Sequence, residues 1–154
     1  MRPAATAALA LLAACAAGPR RLPSTAALRE ALEAGRPVRV VVRYAGCVLR
    51  GEGGTERPGP DVVGGMTVSA FERFAPGVAG NERAYLATSA SQLIGHRRYG
   101  QVVNYVRLRV EDGGAVEVTA RYLRPPGLEV VMDETFVCPL DDGGRGGVTF
   151  YSGR

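Results

Sequence analysis

Cys47 and Cys138 constrain this chain more than any other pair of residues. The third cysteine, Cys15, sits in an N-terminal stretch that reads as an export signal, which leaves two for the mature domain. An exported domain with two cysteines is expected to oxidise them to one disulfide. That bridge would tie the end of the first strand to a segment near the C-terminus. It sets the expected compartment and redox state together and says nothing about activity.

The export reading rests on residues 1–17. Arg2 supplies a short positive head, Ala4 to Ala14 form an uncharged apolar run, and small residues follow around Cys15, Ala16 and Ala17. The run is too short for a bilayer core about 30 Å thick, which needs roughly 20 apolar residues. Pro19 disfavours cleavage directly before it, so the cut is expected after Ala16 or Ala17. Leu12-Ala13-Ala14-Cys15 also resembles a bacterial lipobox, in which Cys15 would carry a lipid anchor. Plain secretion is the reading adopted, with residues 18–23 as a short linker and 24–154 as one β-rich domain. Roughly 135 residues suffice for one core.

The basic residues number 19, all arginine, against 15 acidic ones, for a net charge of +4; loss of Arg2 lowers it to +3. Charges of both signs alternate along the chain. A nucleic-acid partner would demand a clustered basic patch, so none is expected.

Residues Ser24 to Ala34 carry a helical pattern. Ser24 or Thr25 can cap the first turn, Leu28 and Leu32 share a face, and Gly35 is placed to end the helix before Pro37. Alternation then predicts a strand from Val38 to Tyr44, with Val38, Val40, Val42 and Tyr44 on one face. Residues 51–64 read as a Gly/Pro-rich loop, 66–74 as a strand, 84–89 as another, and 91–98 as a turn or short helical piece. The clearest hairpin spans 101–123. Val102 to Val110 and Val116 to Tyr122 alternate on either side of Glu111-Asp112-Gly113-Gly114, whose residues tolerate positive φ. Arg124-Pro125-Pro126-Gly127 reverses the chain into a strand from Leu128 to Val137, and Val148 to Tyr151 close the fold. One helix and six or seven strands on short connections predict a mainly β fold with a minor α component. The expected form is an antiparallel sheet curled into a small barrel or sandwich.

The stretches ALREALEAGRPVRVVVRYAGC, GGMTVSAFERF, VNYVRLRVEDGGAVEVTARYL and ETFVCPLDDGGRGGVTFYS occur in an order that resembles the VirK family of small exported proteins. The resemblance spans nearly all of the mature chain. It implies secretion, the disulfide and a single domain, and it implies no particular chemistry.

Candidate sites are few. His96 is the sole histidine, and Ser89 or Ser91 could complete a hydrolytic set with it. No G-x-S-x-G elbow is present, and Arg97 and Arg98 would oppose the imidazolium such a reaction needs. No catalytic residue is therefore assigned, and His96 is expected in a solvated loop. One histidine and two cysteines fall short of a zinc site. Asp141-Asp142-Gly143-Gly144 and Asp133-Glu134 lack the spacing of a calcium loop and read as solvated turn carboxylates, so no metal or cofactor is expected. His96, Arg97 and Arg98 form a possible anion-binding spot. The six tyrosines and four phenylalanines fit core packing along alternating strands better than a cavity lining. The sum is a monomeric, secreted, non-enzymatic module that binds an unidentified protein or glycan. The alternative is a lipocalin-like carrier of a small apolar ligand, although the chain has no Trp for that family's G-x-W motif.

Overall fold

Ser24 begins the ordered helix as the capping residue: its Oγ accepts the Ala27 N–H at 3.2 Å. The helix α1 runs Thr25–Glu33 and buries Thr25, Leu28, Ala31 and Leu32. At its end the Gly35 N–H donates to the Leu32 carbonyl and the Arg36 N–H to the Ala31 carbonyl, while Gly35 takes a φ of 68°. That is the paired closure that glycine in the left-handed region permits.

The computed structural model describes residues 18–141 and 146–153. The expected export signal with Cys15, and Asp142-Gly143-Gly144, lie outside the described residues. The strands are β1 (Arg20–Leu22), β2 (Val38–Arg43), β3 (Val48–Arg50), β4 (Glu56–Pro58), β5 (Val63–Val68), β6 (Glu72–Phe74), β7 (Tyr85–His96), β8 (Gly100–Glu111), β9 (Ala115–Arg124), β10 (Glu129–Pro139) and β11 (Gly147–Ser152). They form two antiparallel sheets, one ordered β1-β11-β2-β5 and the other β4-β3-β10-β9-β8-β7-β6. The sheets do not close into a barrel. Of the two expected architectures, the sandwich describes the molecule.

Apolar alternation drives the layering. Val38, Val40 and Val42 of β2 and Val148 and Phe150 of β11 face Leu108, Val110, Val116, Val118 and Phe136 of the larger sheet in one core cluster. Leu28 and Leu32 share a small pocket with Val68, Phe71, Leu86, Val110 and Phe150, so α1 closes one end of the gap between the sheets. The Thr25 Oγ1 adds a hydrogen bond to the Glu111 carbonyl. The β8–β9 hairpin has the expected turn: the Gly114 N–H donates to the Glu111 carbonyl, and Gly114 has a φ of 84°.

Several local expectations are corrected. The 18–23 linker contains β1, which pairs with β11 from Arg20↔Ser152 to Leu22↔Phe150. The 51–64 loop folds back as β4 on β3 after a tight turn at Glu52–Gly54, and its last residues already belong to β5. The single strand expected over 66–74 is two. β5 joins the small sheet and β6 the large one, with the chain crossing between them at residues 69–71. The turn expected at 91–98 is the second half of β7, laddered to β8 from Tyr85↔Glu111 to His96↔Gly100. Ser91, Gln92 and Gly95 weaken the local strand signal, but pairing along a strongly β-forming neighbour outweighs it.

Cys47 and Cys138 are joined, with Cα atoms 4.3 Å apart. The β3–β10 register pairs Val48 with Val137, so the bridge sits at the next step of the same ladder. It fastens the chain where it has just left β2 of the small sheet and entered β3 of the large one. Close backbone approach surrounds it. A Cβ on Gly46 would strike Gly147, and one on Gly147, whose φ is 78°, would strike the Pro139 carbonyl.

Candidate functional site

Strand length decides where the molecule is open. β7 and β8 have twelve residues each and extend roughly 40 Å, whereas the six-residue strands β2, β5 and β11 extend roughly 20 Å. The small sheet therefore covers only part of the inner face of the large one. At the edge of the overlap, between the sheets, lies a cleft of about 360 Å³, walled by β2 and β5 on one side and by β7 to β10 on the other. At the far end, His96 and Tyr122 have ring centroids 4.9 Å apart, and Tyr99 stacks on His96 at the same distance. Val102, between Gly100 and Asn104 in the strand that runs beneath, is fully buried.

The cleft is largely apolar. Val42, Met66, Val106, Ala120, Met132 and Phe136 line it, with Tyr44, Tyr122, Gln92 and Asn104 as polar points. Gly64 faces inward opposite Val42 and leaves the mouth wide, since a Cβ there would only touch the Tyr44 ring at 3.5 Å. Tyr44 meets Phe136 edge-on with ring centroids 4.7 Å apart.

Glu134 is the one charged residue in the lining. The other acids of β8, β9 and β10 pair with arginines: Glu111 with Arg109, Glu117 with Arg50, Glu129 with Arg124 at 2.9 Å and Asp133 with Arg121 at 3.0 Å. Among the described residues Glu134 makes no ion pair or side-chain hydrogen bond. Adjacent strand residues point to opposite faces, so Asp133 goes outward to its arginine and Glu134 goes inward. The two carboxylates grouped together in the sequence thus do not share a site.

Tyr44 titrates above its ordinary value of 10.0, because burial penalises the phenolate and the nearby charges of Tyr122 and Glu134 add to the effect. The sign for stability follows. Below pH 10 the phenol is protonated in folded and unfolded chains alike, and stability is undiminished. Above it the unfolded chain loses the proton first, so stability falls as pH rises toward the folded-state value. Chemical denaturation at about pH 8 and about pH 11 should show wild type losing more stability than Tyr44→Phe. Equal losses would mean that Tyr44 is not buried as described.

Of the remaining expected site residues, His96, Arg97 and Arg98 stay together at the end of β7, and the others lie elsewhere. His96 ends β7 and is half-buried against Tyr99 and Tyr122, which corrects the solvated-loop expectation. Its Nδ1 accepts the backbone N–H groups of Arg98 and Tyr99. Arg97 and Arg98 are exposed in the following turn, with Arg98 over the Tyr99 ring at 5.5 Å. Five residues of extended strand place Ser91 roughly 16 Å from His96, and Ser89 lies farther still. Asp141 is buried, and its Oδ2 accepts the Thr149 hydroxyl at 3.2 Å.

Sequence reasoning missed Tyr44, Tyr122 and Glu134 as a group. For Glu134 a signal existed: Met132, Glu134, Phe136 and Cys138 share one face of β10, so a single acid interrupts an apolar stripe. For the tyrosines no local signal distinguishes a cleft wall from a core.

A crystal structure of lpg1832, a VirK family protein from Legionella pneumophila, is similar to this chain with a TM-score of 0.65 at 13% sequence identity. The similarity covers 85% of this chain and 98% of that one, and at such identity it speaks for the fold alone. No curated protein matches the chain. The family model described as VirK protein matches residues 21–128, a segment that includes Cys47 and stops short of Cys138. Since that match takes in well over half of the residues, from β1 to the turn before β10, the chain belongs to the VirK family.

Proposed function

We propose that this VirK-family protein is an exported, non-enzymatic binding module that holds a small, largely apolar ligand between its two sheets. The observation that carries the reading is the uncovered inner face of the large sheet. A cleft of about 360 Å³ falls in the size range of small-molecule sites, and its lining has the usual character of apolar walls with few polar points. This lifts the carrier reading above that of a macromolecular partner, on a sandwich rather than a lipocalin-like barrel. Export is supported by the Cys47–Cys138 bridge, which persists in oxidising compartments. Among the described residues no helix is long and apolar enough to cross a membrane. The non-enzymatic reading is supported by the distance between His96 and the serines of β7 and by the engagement of the His96 Nδ1 with its own turn.

Contact with a macromolecule remains a second reading, favoured by the outer face of the large sheet. There Leu93, Val103, Leu123 and Val130 line up across four strands, with Leu93 59% and Val130 51% exposed.

Gly64→Leu tests the cleft directly. A Cβ there meets only the Tyr44 ring and the backbone is not left-handed, so the leucine side chain is expected to occupy the mouth. Met66 and Met132 both line the cleft, so their methyl resonances report its occupancy. Octanol should shift both resonances in the wild-type protein, and Gly64→Leu should weaken its binding by about tenfold or more, the usual consequence of blocking a fitted apolar pocket. Unchanged octanol binding in the filled variant would place the ligand elsewhere.

A further inference from the structure

Accepting the cleft as the ligand site, we infer that it selects organic cations: a protonated or quaternary amine attached to an apolar body. The inference rests on the functional reading above and adds the charge of the ligand. Three observations point the same way.

First, among the described residues Glu134 is an inward carboxylate left without a partner, in an arginine-rich chain. Every other acid on the same three strands has an arginine beside it, so arginine supply does not explain the omission. Glu134 is half-buried, and a carboxylate so placed is stabilised by a counter-charge; the cleft lining offers none, since it contains neither arginine nor histidine and the chain has no lysine.

Second, aromatic faces accompany the acid. Tyr44 and Tyr122 line the cleft beside it, and the buried Phe136 backs Tyr44 in edge-to-face contact. Ring faces carry negative electrostatic potential and attract ammonium groups, most strongly where water is excluded. Tyr44 senses both Tyr122 and Glu134 electrostatically, so the three groups converge on one region.

Third, the rest of the lining suits the body of such a ligand. Met66, Val106 and Met132 offer apolar contact, and the two thioethers adapt to chains of different shape. An anionic amphiphile of the same size would meet Glu134 with like charge, and a neutral one would leave the carboxylate unpaired.

The test compares three probes with one tail: octyltrimethylammonium, octanol and octanoate. Each is titrated by calorimetry into the oxidised protein, with the Met66 and Met132 methyl resonances followed in parallel. The ammonium probe should bind about tenfold or more tighter than the other two, as expected for a charge interaction in a partly water-excluded cleft. Glu134→Gln, which nearly keeps the shape of the side chain and removes its charge, should abolish that preference. Equal affinity for the three probes, or a preference that survives Glu134→Gln, would overturn the cation assignment and leave the cleft reading standing. Failure of every probe to shift either methionine would overturn both.

Discussion

Cys138→Ser is expected to lower stability by about 2–5 kcal/mol, the range for losing a native bridge from a small secreted domain. The bridge spans a sequence separation of 91 residues, and chain entropy alone assigns a loop of that length about 4–5 kcal/mol. Both sulfurs are buried, Cys138 to 1% exposure, so serine would also leave a hydroxyl in an apolar site. The bridge fixes the point at which the chain passes from the small sheet to the large one, and Gly46 and Gly147 bring the return strand against it. Thermal unfolding should therefore shift downward by roughly 10 °C or more. Reduction of the wild-type protein should reproduce most of the change. A double Cys47→Ala, Cys138→Ala variant as stable as the oxidised wild type would show that other contacts hold the crossing by themselves.

Phe136→Ala should cost a similar amount, about 3–5 kcal/mol, for a different reason. Phe136 is among the largest fully buried side chains, and it stands where the packed core gives way to the cleft. Truncation removes its transfer energy and joins the vacated space to an existing opening, which the neighbours cannot readily collapse to fill. Tyr44 would lose its edge-to-face partner at the same time. Denaturant midpoints measured for Phe136→Ala and the milder Phe136→Leu should fall in that order. A loss below about 1 kcal/mol for the alanine variant would mean that the sheets are not close-packed at this position. Phe136 and Cys138 are two residues apart on one face of β10, so the two substitutions are expected to couple rather than add.

The bridge is legible because two cysteines in a domain expected to be exported leave little choice of partner. Helix α1 was legible because its cap, apolar face and terminating glycine are adjacent in sequence. The β8–β9 hairpin was legible because alternation on both arms agrees with the chemistry of its turn. By contrast, the sequence pattern ends the 84–89 strand at Ser89, since residues 90–96 carry too few apolar side chains to announce the rest of β7. Their polarity has a structural cause: that half of β7 lies beyond the reach of the small sheet, where Gln92 lines open space instead of a core. The composition that hid the strand thus came from the cleft itself.

Glu134 shows the same limit at a single residue. Beside Asp133 it read as one of two acids in a solvated turn. Strand parity separates them, sending one to Arg121 and the other into the cleft.

Local pattern alone determined the helix, the principal hairpin, the sandwich-or-barrel class, the bridge and the likeness to VirK proteins, because each depends on residues that are near neighbours or few in kind. Tertiary structure alone decided which sheet each short strand joins, how far one sheet overhangs the other, and that Tyr44, Tyr122 and Glu134 meet. Those outcomes depend on register and relative length between strands far apart in the chain. Periodicity records which face of a strand is apolar, and it carries no information about how much of that face another sheet will cover.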